Sequence, residues 1–279
     1  MTTDEQLRQH PAIDLTLARS IAHSAVQHVT KAARANLAAK PDDSHSNLGW
    51  DHPLQAYLSQ PLGDHFVGLK FSPLTLLIVT GGEITASLPL DKKTQQDAAS
   101  WLDDELKTRQ LKPASAVELP YELPADVAAI QRFETSANEP GLEALGSWFD
   151  MSAGVLTAFA QKNASIQPGP SAVRCWPHHF DIATYVSLET GDPETARGVG
   201  IGLSPGDEGY GEPYFYVNPW PHLDPSTLPE AVVPGHWHTE GYVGLIATAT
   251  ELSAHDAIES TTRNFISQAF TTARKTQGL

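Results

Sequence analysis

Gly81 and Gly82 join an apolar run at 74–80 to a second run at 83–88. A two-residue glycine link supplies the positive φ angles of a tight hairpin turn, so the two runs fold back antiparallel. A third run at 65–71 precedes them across a link far too short for the crossover that parallel strands need. The first half of the chain is therefore built on an antiparallel sheet. No Gly-x-Gly-x-x-Gly or phosphate-loop motif points to a nucleotide-binding parallel sheet.

Helical periodicity brackets these strands. Residues 11–38 place Leu15, Ala18, Ile21, Ala22, Ala25, Val26 and Val29 at helical spacing, with Pro11 in a first turn and the polar stretch 40–44 ending the helix. A second helix is expected to about residue 111, capped by Asp91 or Thr94, with Ala98, Trp101, Leu102 and Leu106 inward. Pro113, Pro120 and Pro124 then mark an irregular passage. The pattern resumes with a helix over 141–162, strands at 178–189, 198–204, 213–218 and 238–249, and a closing helix over 253–274 capped by Ser253. Each half reads helix, strands, helix. The expected fold is α+β, with two helix–antiparallel-strands–helix halves packed together, 1–135 and 136–279. The shared element order raises an ancient duplication, although residue identity between the halves is too low to make a repeat.

Charge narrows the range of partners. The net charge is −15, which opposes binding to nucleic acid or to an anionic membrane surface. Between 176 and 242 the only Lys or Arg is Arg197, against ten Asp and Glu. A cationic ligand or a metal suits that stretch, and an anionic substrate does not. The lone cysteine, Cys175, excludes an internal disulfide and reads as a small core residue. The N-terminus lacks a signal-peptide pattern, and no apolar run approaches the ~20 residues of a membrane span. A cytoplasmic protein is expected.

Two short segments carry most of the chemistry, Trp176-Pro177-His178-His179-Phe180-Asp181 and Gly235-His236-Trp237-His238-Thr239-Glu240. If both are extended, alternation places His236, His238 and Glu240 on one face, and His179 with Asp181 on one face of the other. Imidazoles two apart on a strand can turn to a single ion. The first reading is thus a metal-dependent enzyme of hydrolytic type. His179, Asp181, His236 and His238 would hold zinc, iron or manganese, with Glu240 as the base. The second reading is a non-catalytic site for a small cationic ligand, lined by Trp176, His178, Tyr214, Tyr216, Trp237 and Tyr242 through cation–π attraction. In the third, the histidines and carboxylates only brace a sheet. The spacing departs from the cupin pattern, which needs a longer gap before its glutamate. No Gly-x-Ser-x-Gly elbow is present. The Gly- and Pro-rich stretch 204–213 misses the calcium-loop spacing and reads as a hairpin loop at the rim of the site.

The motifs Trp176-Pro177-His178-His179-Phe180-Asp181, Ser204-Pro205-Gly206-Asp207-Glu208 and Glu212-Pro213-Tyr214-Phe215-Tyr216 resemble those of an uncharacterised bacterial family catalogued as a domain of unknown function. The run 66–71 and the Gly81-Gly82 turn extend the likeness over most of the chain. The resemblance implies a bacterial cytoplasmic α+β protein and no activity, cofactor or catalytic residue. The paired histidines and the His-x-His run depart from the family's pattern.

Overall fold

The computed structural model describes Leu7, residues 14–192 and residues 194–279; the expected helical turn at 11–13 lies outside the described residues. The chain is α+β and divides into two compact units. One comprises residues 14–146 with 174–180; the other comprises Leu7, 147–173 and 181–279. The division therefore falls after Gly146 rather than after residue 135, inside a continuous helix. A seven-residue segment from later in the chain, 174–180, also belongs to the first unit.

The first unit opens with α1 (Thr16–Asn36), which packs on the central sheet. Its buried set includes Ala22, Ala25, Val26 and Val29, and also Ser20, His23, Gln27 and His28. A helix that buries polar groups must supply them with partners. His23 and Gln27 both reach the Pro177 carbonyl, at 2.8 and 2.9 Å, and His28 donates to Gln95 at 2.9 Å. The sheet contains β1 (Gly49–Asp51), β2 (Ala56–Leu58), β3 (His65–Phe71), β4 (Leu74–Thr80) and β5 (Glu83–Pro89), adjacent in chain order and all antiparallel. Gly81 and Gly82 turn the last hairpin at φ of 62° and 84°, as the glycine pair predicts. Thr94, not Asp91, caps α2 (Gln95–Thr108) through a reciprocal capping box with Asp97. Asp91 instead accepts from the backbone of Thr135 and Ser136. After the short α3 (Ala125–Ala128), α4 (Glu139–Lys162) runs from this unit into the next.

The second unit follows α4 with β6 (Gly169–Pro170). Then β7 (Arg174–Trp176) returns to the first unit, where Cys175 bridges Leu48. Five strands follow: β8 (Asp181–Ser187), β9 (Gly198–Ser204), β10 (Tyr214–Trp220), β11 (His236–His238) and β12 (Gly244–Thr248). Within the unit the order is β11-β12-β10-β9-β8-β6, antiparallel throughout. Because β12 stands between β10 and β11, this topology differs from the sequential order of the first unit, which ends the case for duplication. Thr248 and Glu251 form a capping box at α5 (Ala249–Ser253), and α6 (Ile258–Thr276) begins afterwards. Ser253 thus ends one helix instead of starting the next. No helix among the described residues is long and apolar enough to cross a membrane.

Two expected strands are corrected. Residues 177–180 form a turn, with Phe180 at φ 60°, so the strand expected at 178–189 begins only at Asp181. The strand expected at 238–249 is two strands joined by a hairpin, in which Gly241 adopts φ 82°.

Candidate functional site

The sheet of the second unit has two unlike faces, and strand register shows why. Leu203, Phe215 and Ala247 are cross-strand neighbours, as are Ile201, Val217, Leu245 and Trp237. These apolar rows form one face, and α6 packs against β9 and β10. The rows between them carry different chemistry: Ser204–Tyr214–Thr248, Gly202–Tyr216–Ile246–His236, and Gly200–Asn218–Gly244–His238. Alternation alone therefore assembles tyrosine, histidine and asparagine on one surface.

Glycine allows long side chains to cross that surface. Tyr216 on β10 donates its hydroxyl hydrogen bond to Asp181 on β8, across β9. A Cβ on Gly202 of β9 would sit 2.5 Å from the Tyr216 hydroxyl oxygen, so the ring can lie there only over glycine. Burial first, and then the Asp181 charge, push the Tyr216 phenol well above its ordinary pKa and keep it a donor.

The 204–213 loop is cross-linked by its own hydrogen bonds. The Asp207 carboxylate accepts from the backbone of Gly209 at 2.8 Å and Tyr210 at 3.0 Å, and from the Tyr214 hydroxyl at 2.5 Å. Those bonds deliver Tyr210 to the histidines. Its hydroxyl lies 3.1 Å from His236 Nε2 and 3.1 Å from His238 Nδ1. His236 Nδ1 donates to Glu251 Oε1 at 3.0 Å, and Glu251 is itself anchored by the Thr248 backbone N–H at 2.8 Å. His238 Nε2 donates to the Glu240 carbonyl at 2.6 Å, and the Tyr242 ring lies tilted at 37° to His238 with centroids 4.4 Å apart. Tyr210, Tyr214 and Tyr242 all have raised pKa values, with burial the leading cause in each.

Proton counting gives this chain a definite character. A carbonyl can only accept, so His238 carries its proton on Nε2 and, when neutral, turns a lone pair toward Tyr210. His236, donating to the Glu251 carboxylate, does the same. One phenol proton cannot serve two lone pairs. All four links from Glu251 to the Glu240 carbonyl close together only when the chain gains one further proton. Glu251, His236, Tyr210 and His238 thus form one continuous hydrogen-bonded path.

The sequence-based site divides between the two units. Trp176, His178 and His179 belong to the first, while Asp181, Tyr214, Tyr216, His236, Trp237, His238, Glu240 and Tyr242 belong to the second. His178 lies among Tyr121, Trp176 and His179, and burial followed by the His179 charge lowers its pKa to about 4. Asp181 and His236 share a sheet, but β9, β10 and β12 lie between their strands. The two histidine-bearing segments are therefore not neighbouring strands, and the four expected metal ligands do not gather in the second unit. His236 and His238 do converge as their spacing predicts, on the Tyr210 hydroxyl. Among the described residues no group of three or more His, Cys, Asp or Glu could hold a metal ion. Trp237 lies on the opposite face from the histidines and donates to the Pro229 carbonyl at 2.8 Å. Glu240 is exposed in the hairpin and contributes its carbonyl to His238. The carboxylate hydrogen-bonded to His236 is that of Glu251 and not of Glu240. Sequence reasoning missed Glu251, although Thr248-x-x-Glu251 is a capping-box signature, and it missed Tyr210, which stands alone among glycines.

No family model, curated protein or solved structure matches the chain.

Proposed function

We propose that the second unit binds a small cationic molecule, a protonated or quaternary amine, beside Tyr210, Tyr242 and His238. One observation carries this reading: the charges that raise the Tyr210 phenol are all carboxylates, Asp207, Glu251 and Glu240. The stretch from Gly198 to Thr262 around it contains no Lys or Arg. The nearest in sequence, Arg197, is held by Glu189 at 2.7 Å. Aromatic faces in a negative field attract a cation, with about 0.5–2 kcal/mol for each well-placed ring. The Tyr210–Tyr214 pair, 4.8 Å between centroids, and the tilted Tyr242–His238 pair supply such faces.

The proton path favours a second reading at the same place, general acid–base catalysis with Tyr210 as the group facing substrate and His236 restoring its proton. The Glu251–His236 pair then plays the orienting part that a carboxylate plays for a catalytic imidazole. Titration of ¹⁵N-labelled protein with benzyltrimethylammonium separates the outcomes. The binding reading expects saturable shifts at Tyr210, His238 and Tyr242, absent in Tyr242→Ala and with benzyl alcohol. Equal binding of the neutral alcohol, or shifts confined to other residues, removes it.

A further inference from the structure

Far along the second unit, α4 and α6 enclose two adjoining hollows of about 220 and 310 Å³. Both are bounded by Phe159, Lys162 and Ser267. Their floor is apolar: Val155, Phe159, Ile266 and Phe270 are all buried, and the Phe159 and Phe270 rings meet edge to face at 5.1 Å. Their rim is basic. Lys162 and Arg263 line the first hollow; Lys162, Arg274 and Lys275 line the second; neither lining contains an Asp or Glu.

That concentration is unusual for a chain with 33 acidic and 18 basic residues. Arg263 is engaged by Glu259 at 2.6 Å. Among the described residues Lys162, Arg274 and Lys275 form no ion pair, and the Arg274 guanidinium lies 5.9 Å from the Phe270 ring centroid. Cations in the last turns of α4 and α6 complement the helix dipoles. That accounts for their presence at each helix end, but not for their convergence above one aromatic floor. Like charges gathered at a hollow repel one another and are relieved by a bound anion.

We propose that this double hollow binds an amphipathic anion, a carboxylate or phosphate head carried on a hydrocarbon body. The head lies in the second hollow, against Lys162, Arg274 and Lys275. The body lies in the first, over Val155, Ala158 and Ile266. The two volumes together fall within the range of small-molecule pockets. The site shares no residue with the Tyr210 cluster and prefers the opposite charge.

The test uses the fluorescent sulfonate 8-anilinonaphthalene-1-sulfonate as the probe, competed with decanoate, decyl phosphate, decanol and decyltrimethylammonium. Saturable fluorescence is expected, displaced by the two anions and not by the alcohol or the cation; the better anion identifies the head group. The exposed Lys162→Glu change, combined with Arg274→Glu, should weaken decanoate about tenfold or more while circular dichroism stays unchanged. Ala158→Trp should block the body without touching a charge. Displacement by decanol as strong as by decanoate, or charge-reversed protein that binds decanoate as before, overturns the proposal. So does the absence of saturable binding.

Discussion

Mild acid should unfold the first unit through two histidines on α1. Burial, the leading cause at both, pushes His23 and His28 down to about 4 from an ordinary 6.5. His23 feels Asp126, Arg19 and His179, and His28 feels Lys31 and Asp103. The fold holds both rings neutral, and the unfolded chain binds protons to both below 6.5. Stability is therefore whole above pH 6.5 and is lost as pH falls toward 4. Linkage across a shift of that size removes about 2 kcal/mol per histidine by pH 5 and about 3 by pH 4. Two such losses, ~4 kcal/mol at pH 5, rival much of a small domain's stability of ~5–15 kcal/mol. Urea unfolding followed by tryptophan fluorescence at pH 7.5 and pH 5.0 measures the difference. In the double variant His23→Gln, His28→Gln, where neither side chain titrates, their ~4 kcal/mol share should disappear, leaving the part that His178, also lowered to about 4, contributes, even if stability at pH 7.5 is lower. Equal stability of the wild type at both pH values, or an unchanged pH dependence in the double variant, would refute the reasoning.

Four further outcomes are expected from single substitutions. Gly202→Ala places a methyl group against Tyr216 and the Ile182 carbonyl and should cost about 1–3 kcal/mol by overpacking. Gly200→Ala, whose nearest neighbours lie at 3.9 Å or beyond, should change the melting free energy by no more than about 0.5 kcal/mol. Thr248→Ala removes half of the α5 capping box and should cost about 1 kcal/mol. It should also loosen Glu251, read as a changed ¹⁵N shift at His236 Nδ1. Phe180→Ala empties the site between His23, Tyr57 and Phe71 and should cost about 3–5 kcal/mol in chemical denaturation.

Features governed by local periodicity were legible before any coordinates. The Gly81-Gly82 hairpin, the helix through Trp148 and Phe149, and the shared face of His236 and His238 all follow from spacing between near neighbours. Features governed by tertiary context were not. Residues 178–180 lead into an apolar run and read as the start of a strand, yet they lie in a turn whose Pro177 carbonyl accepts from His23 and Gln27 on α1. Sheet order, which separates Asp181 from His236, depends on where the β11–β12 hairpin inserts, and no short-range pattern encodes that. Tyr210 matters because Asp207 folds its loop back, an effect visible only once the backbone bonds are known.

The segment 174–180 has a consequence for how the protein is made. It brings β7 and Phe180 into a body whose other residues end at Gly146. A nascent chain that has emerged only as far as α4 lacks a strand and a central aromatic ring, so the first unit cannot finish its interior until residue 180 has been made. At ribosomal speeds of ~5–20 residues per second, the gap lasts a few seconds. During that interval Tyr57 and Phe71 await the ring that will cover them.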